Sequence, residues 1–186
     1  MFKFNPGKIA APLALVLTLI VHPAAHAFDN IADKVFNFQM KMAESGQVQS
    51  QYKLGRMYET GHGTEKDMVQ AMRWYQEASE KGYEPASDRI TYQQVKDDGF
   101  DKGKHAAWLD SVKSRADANI PESVILLAQI YADGIAVRRN ESKALQMLNR
   151  MSMEGMSEAD ADIAIIEERI ERRKSTAVSK LSQAAS

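Results

Sequence analysis

The chain reads as an all-α protein built from stacked helix-turn-helix units, and three observations carry that reading. The stretch from Gly46 to Gly82 recurs at a constant offset of 73 positions: Leu54, Tyr58, Gly61, Asp67, Ala71, Trp74, Ala78 and Gly82 line up with Leu127, Tyr131, Gly134, Asn140, Ala144, Met147, Met151 and Gly155. Self-similarity at a fixed period means one structural unit used more than once. Within the unit, Ser50, Leu54, Met57 and Tyr58 fall at i, i+4, i+7 and i+8, the spacing of one helix face. The composition also suits an α-rich chain, with 26% charged residues, ten Met and only five Pro among 186 residues.

Residues 1–27 stand apart. Lys3 and Lys8 give a positive start, Ile9 to Val21 is an apolar run, and Ala25 and Ala27 occupy the −3 and −1 positions of a cleavage site. This is the layout of a secretory signal peptide cleaved after Ala27, and the apolar run is short beside the roughly 20 residues of a membrane span. An uncleaved anchor is the alternative. No Cys follows the run, which excludes a lipid anchor on a new N-terminal Cys. The layout fits a bacterial periplasm, with secretion as the other destination. Losing 1–27 leaves 22 basic against 25 acidic side chains, a net charge of −3. That balance gives no reason to expect a nucleic-acid partner, and no later stretch is apolar enough to span a membrane. With no cysteine anywhere, disulfide-stapled scaffolds are excluded.

Residues 28–45 form an N-terminal capping helix, with an apolar stripe of Ile31, Val35, Phe38, Met42 and Ala43. Phe38 lies 36 positions ahead of Trp74, so the segment resembles a lone second helix. The first full copy, 46–82, runs as helix, turn at Gly61-His62-Gly63, helix, turn at Gly82. Glycine supplies the positive φ that a sharp reversal demands, and Thr64 and Asp67 can accept from the free N–H groups of the second helix. Residues 83–118 are a degraded copy: Ala86, Ile90 and Gln94 take the first-helix positions, Asp97 to Gly103 makes the turn, and Trp108 stands for Trp74. Pro85 opens this copy and Pro121 the next, where a missing N–H costs nothing. The copy at 119–155 keeps Leu127 and Tyr131 and carries Ala136 where the first has Gly63. A C-terminal capping helix, 156–174, shows Ile163, Ile166 and Ile170 on one side and a charged face on the other, with Glu168 and Arg172 at i,i+4. Residues 175–186 are small and polar and read as a disordered tail.

At these residues the resemblance is to the Sel1-like repeat, a relative of the tetratricopeptide repeat. Leu54-Gly55-Arg56-Met57-Tyr58 with Gly61 and Gly63 carries the first half of the family pattern, and Ala71, Trp74, Tyr75 and Ala78 much of the second. Ser50 and Ser79 replace alanines usual in the pattern, and the later copy departs with Ala128 and Met147. The resemblance spans about 46–155. It implies an α/α solenoid of about three repeats between capping helices, whose curved face is formed by the first helix of each pair. It also implies an adaptor for other proteins of the cell envelope, and not an enzyme.

The residues themselves offer little chemistry. The glycines at 55, 61 and 63 lack the preceding strand and following Lys-Ser/Thr of a phosphate loop. His62 and His105 lie on different copies with no partner ligand nearby, and Asp97, Asp98 and Asp101 miss the alternating spacing and closing Glu of a calcium loop. No catalytic, cofactor or metal residue is therefore assigned. Tyr58, Trp74, Tyr131, Met147 and Met151 recur at the repeat period and read as core. The binding positions assigned are first-helix residues not needed for packing: Gln49, Tyr52, Lys53, Arg56 and Glu59, with Arg89, Tyr92 and Gln93 in the middle copy. Tyr and Arg are frequent interface anchors, and such a groove suits a helix or extended peptide. The alternative to a scaffold is an inhibitor or immunity-type protein with one partner. A β-lactam- or peptidoglycan-acting enzyme is disfavoured, since the related branch carries paired Cys and this chain has none.

Overall fold

The computed structural model describes residues 23–184, and among these all regular structure is helical. The helices are α1 (Pro23–Glu44), α2 (Val48–Thr60), α3 (Met68–Glu80), α4 (Glu84–Asp98), α5 (Lys102–Asp117), α6 (Pro121–Asp133), α7 (Glu141–Met153) and α8 (Asp160–Ala184), with a 3₁₀ turn at Ser157–Ala159. The body of the expected signal segment, 1–22, lies outside the described residues, and Pro23–Ala27 form the start of α1. No described helix is long and apolar enough to cross a membrane.

The repeat is written into the turns. Gly61 and Gly134 take left-handed φ values of 80° and 75°, and their N–H groups donate to the carbonyls of Met57 and Ile130. Asp67 N–H then donates to Tyr58 O and Asn140 N–H to Tyr131 O. The Asp67 side chain accepts from the N–H groups of Val69 and Gln70, and Asn140 accepts from Lys143 N–H. Asp67, and not Thr64, is thus the cap of α3. Identical bonds at 73-residue spacing make α2–α3 and α6–α7 the same hairpin built twice.

The helices stack in an α/α solenoid, α1 on α2, α2 on α3, α3 on α4, α5 on α6, α6 on α7 and α7 on α8. The exception is the middle pair. Only Gly99, Phe100 and Asp101 join α4 to α5, against seven residues in the other two hairpins, and the two backbones do not pack closely. Both helices are longer than the sequence suggested: α4 runs through Asp97 and Asp98, and α5 reaches Asp117, with Asp101 as its cap accepting from the N–H groups of Gly103 and Lys104.

The apolar core is uneven. Its main part runs from Tyr92 on α4 through Leu109 and Val112 on α5, the Val124–Ala128 run on α6 and Leu148 on α7, to Ile166 on α8. The first repeat holds two smaller clusters, Phe36, Ala43, Leu54, Met57 and Trp74 on one side and Tyr52, Ala71, Tyr75, Ala78 and Ala86 on the other.

Two expectations are corrected. The expected stripe of α1 is buried only towards its end: Ile31 and Phe38 are each 58% exposed, whereas Ala43, a member of the stripe, and Phe36, outside it, are buried. Phe36 wins because its ring meets Tyr58 edge-on at 5.3 Å, a contact that turns the helix by about a third of a revolution from the stripe. Residues 175–184 are the last turns of α8 and not a disordered tail. They contain no Gly or Pro to stop a helix, and Arg172–Glu168 and Lys174–Glu171 pair along its surface.

Candidate partner-binding site

The first helices, α2, α4 and α6, form one layer, and α8 turns back to lie against α2 and α6. At their meeting point five side chains close a ring of hydrogen bonds. Arg56 donates to Glu59 at 3.0 Å on its own helix and to Asp162 on α8. Arg89 on α4 donates to the other oxygen of Glu59 at 3.5 Å and to Gln129 on α6. Gln129 then donates to the second oxygen of Asp162. Tyr75 adds a 2.5 Å hydrogen bond to Glu59 from α3.

The ring balances two guanidinium groups with two carboxylates, which is what allows them to be buried together. Arg89 is 2% exposed and Asp162 equally so. Burial by itself would lift the Glu59 carboxyl, but the Arg89 and Arg56 guanidinium groups and the Tyr75 hydroxyl hold it down at about 2. Burial likewise opposes the charge on Arg56, and Asp162 and Glu59 override it and hold the guanidinium more firmly protonated than usual. Burial and the Glu59 charge push the Tyr75 hydroxyl well up, so it stays a donor.

A second polar cluster lies beside the ring. Tyr92 donates to Asp133 at 2.6 Å, Arg169 of α8 donates to its other oxygen at 2.5 Å, and Lys96 stands at 3.4 Å. Burial would raise Asp133, but these donors bring it below its ordinary range. At the far edge Lys53 pairs with Glu158 at 3.1 Å. A cavity of about 340 Å³ opens there between α1, α2, the start of α6 and the 3₁₀ turn, with Val35, Met57, Ile125 and Met156 in its apolar wall and Gln39 and His62 among its polar residues.

The structure brings the sequence-assigned residues together but does not leave them free. Tyr52, Arg89 and Tyr92 are buried, Arg56 and Glu59 nearly so, and Gln93 is half-buried, donating to Asp97. Only Gln49 and Lys53 are exposed. The expectation that all eight lie clear of packing is corrected. Polar side chains read as surface when their partners are far away in sequence, and here Arg56 meets Asp162 across 106 positions. Asp162, Gln129, Tyr75, Asp133 and Arg169 were missed. A signal for two of them existed: Gln129 is the repeat counterpart of Arg56, and Asp162 stands four residues before Ile166 on the same helix stripe.

Chemically, both oxygens of Glu59 and of Asp162 are already engaged by donors, so the ring fixes the register of α2, α4, α6 and α8. Among the described residues no group of three His, Asp or Glu stands close enough to hold a metal ion.

The Sel1 repeat family model matches residues 48–83 and 121–156, which are α2–α3 and α6–α7 with their turns. The Sel1 repeat protein of Oxalobacter formigenes is 20% identical, with 75% of this chain and 59% of that one covered and a TM-score of 0.39. A protective antigen present in uropathogenic Escherichia coli strains, displaying an SLR fold, is 26% identical, with 67% of this chain and 26% of that one covered and a TM-score of 0.36. The chain thus spans about three fifths of the first protein and a quarter of the second. No curated protein matches it. Sel1 repeats commonly mediate protein–protein interaction. The chain thus carries two Sel1 repeats, the hairpins α2–α3 and α6–α7, set in an all-helical solenoid.

Proposed function

We propose that the protein is a non-enzymatic scaffold of the bacterial cell envelope, exported by cleavage after Ala27, which docks a protein partner on the face formed by α2, α4 and α6. The observation that carries this reading is the concentration of Tyr, Arg and Glu from the first helix of successive units on one face. A scaffold built only for stability would fill that face with apolar side chains, as α6 does with Ile125 and Leu126. The basic start and apolar run of residues 1–21 support export.

The test is crosslinking in cells of the tagged protein, release by osmotic shock and mass spectrometry of what co-purifies. One or a few envelope proteins are expected, recovered in lower yield with the exposed pair Gln49→Arg/Lys53→Glu and unchanged with Arg73→Glu on the outer layer. Retention of the tag in the cytoplasm sinks the envelope assignment, and recovery of no specific protein from the released fraction sinks the scaffold.

A further inference from the structure

We propose that α8 is a displaceable occupant of the inner face. The groove along α2, α4 and α6 is then a helix-binding site, and the partner it fits is an amphipathic helix whose carboxylate takes the place of Asp162. This rests on the reading that a partner docks on the first-helix layer.

Asp162 occupies a position the repeat itself defines. Arg56 and Gln129 are the same repeat position 73 residues apart, and both donate to this one carboxylate. The receptor for an acidic side chain thus comes from the repeats, while the ligand comes from a helix outside them.

The resident helix is held lightly. From Glu171 to Lys180 every residue of α8 is exposed, and within 160–170 only Asp162 and Ile166 are fully buried. In α6, by comparison, eight residues are buried. Ile163, Ile166 and Ile170 seat α8 on the core, and its hold on the first-helix layer and the neighbouring helices is otherwise ionic, namely Arg56–Asp162, Arg169–Asp133 and Arg173–Glu141, with Lys53–Glu158 just ahead of it. A competitor that carries its own charges can replace such pairs one for one.

The fit of α8 is also incomplete. Arg89 is 2% exposed, yet its Nε and Nη2 have no partner. Asp162 satisfies Arg56 and Gln129 and leaves these two donors unfilled. A cavity of about 70 Å³ remains beside the ring, bordered by Glu59, Tyr92, Gln129, Asp162 and Ile166. A partner helix with a second acceptor one turn from the first, or with Glu for Asp, would use what α8 leaves unused. The same physics sets the specificity: expelling Asp162 without replacement would strand Arg56 and Arg89 as buried cations with Glu59 alone between them, so an apolar helix cannot take the site.

The experiment uses the full chain and a fluorescent synthetic peptide of residues 157–174. In the full-chain variant Asp162→Lys, a like charge faces Arg56 and ejects α8. The peptide is expected to bind this variant at least about tenfold more tightly than the wild-type chain, whose groove is filled, and a peptide carrying Asp162→Asn is expected to lose at least about tenfold. Equal uptake by variant and wild type, with the amides of α2 and α6 still protected in the variant, overturns the proposal. Should the variant not fold, hydrogen exchange on the unmodified chain decides. Residues 160–170 are expected to exchange at least about tenfold faster than α2 and α6, and exchange of all three together in one global opening overturns the idea. Failure of partner capture with this exchange pattern intact would remove the scaffold reading and leave the latch standing.

Discussion

In α2–α3 the ring of Tyr75 lies so close to Gly55 that a Cβ there would sit 2.6 Å from it; the corresponding pair 73 residues on is Leu148 and Ala128, both fully buried. The exchange runs further. Tyr75 reaches past Gly55 to donate to Glu59, and where the first repeat has Glu59 the later one has Ala132. Gly, Tyr and Glu in one hairpin are thus replaced together by Ala, Leu and Ala in the other. One hairpin is locked by a polar ring and the other by apolar volume. The first holds the Asp162 carboxylate of α8 through Arg56, and the second anchors the core against which α8 rests. The lesson is that a repeat template fixes the turns and the helix phase while leaving the chemistry of the inner face free to vary.

The largest expected difference between the two hairpins is in acid. Glu59 is held at about 2 against an ordinary 4.5. A carboxyl whose folded value lies below its unfolded one contributes fully above pH 4.5 and loses that contribution as pH falls towards 2, here about 3 kcal/mol. Urea unfolding at pH 6, 4 and 3 should show the wild type losing more stability than Glu59→Gln across that window, and parallel loss in both chains would contradict the ring.

Next come the glycines. Gly55→Ala drives a methyl into a ring whose hydroxyl is tied to Glu59, so a net loss of about 2 kcal/mol is expected after the gain in helix propensity. Ala128→Gly should cost about 1 kcal/mol, from propensity and lost packing. In the Tyr75→Leu background Gly55→Ala should cost nothing, since that pair reproduces the later repeat, and a full penalty there would break the comparison.

The turns make a contrast of opposite sign. Gly63, at φ 70°, has the Ala32 carbonyl oxygen where a Cβ would be 2.3 Å away, so Gly63→Ala should push α1 off the array as well as strain the turn. Ala136 takes the same left-handed conformation at φ 57° and is exposed. Ala136→Gly should therefore gain about 0.5–1 kcal/mol, read as a rise in Tm.

Much of the fold was legible in the sequence because the features that repeat are those that govern backbone direction: Gly61 with Gly134, Asp67 with Asn140, Leu54 with Leu127. The phase of α1 was not, since Ile31, Val35 and Phe38 make as good an apolar row leading to Ala43 as Phe36 and Met40 do, and the packing of Phe36 with Tyr58, Leu54, Met57 and Trp74 decides between them. The α4–α5 packing was hidden too, because a shortened connection of three residues changes the pair without changing its helix signals. The site was half legible. Arg56 and Glu59 stood out as non-core residues of a first helix, but their burial depends on Arg89, Gln129 and Asp162, and polarity alone cannot reveal a partner a hundred positions away.

The most direct test of the inner-face ring is a double-mutant cycle on Arg56→Met and Asp162→Asn, read by urea unfolding at pH 7. If α8 is seated on the first-helix layer through this pair, the coupling should be at least about 2 kcal/mol, as for a buried ion pair. A coupling below about 0.5 kcal/mol is that of a solvated surface pair, and it would mean that Asp162 does not close the ring and that α8 is not held in the groove.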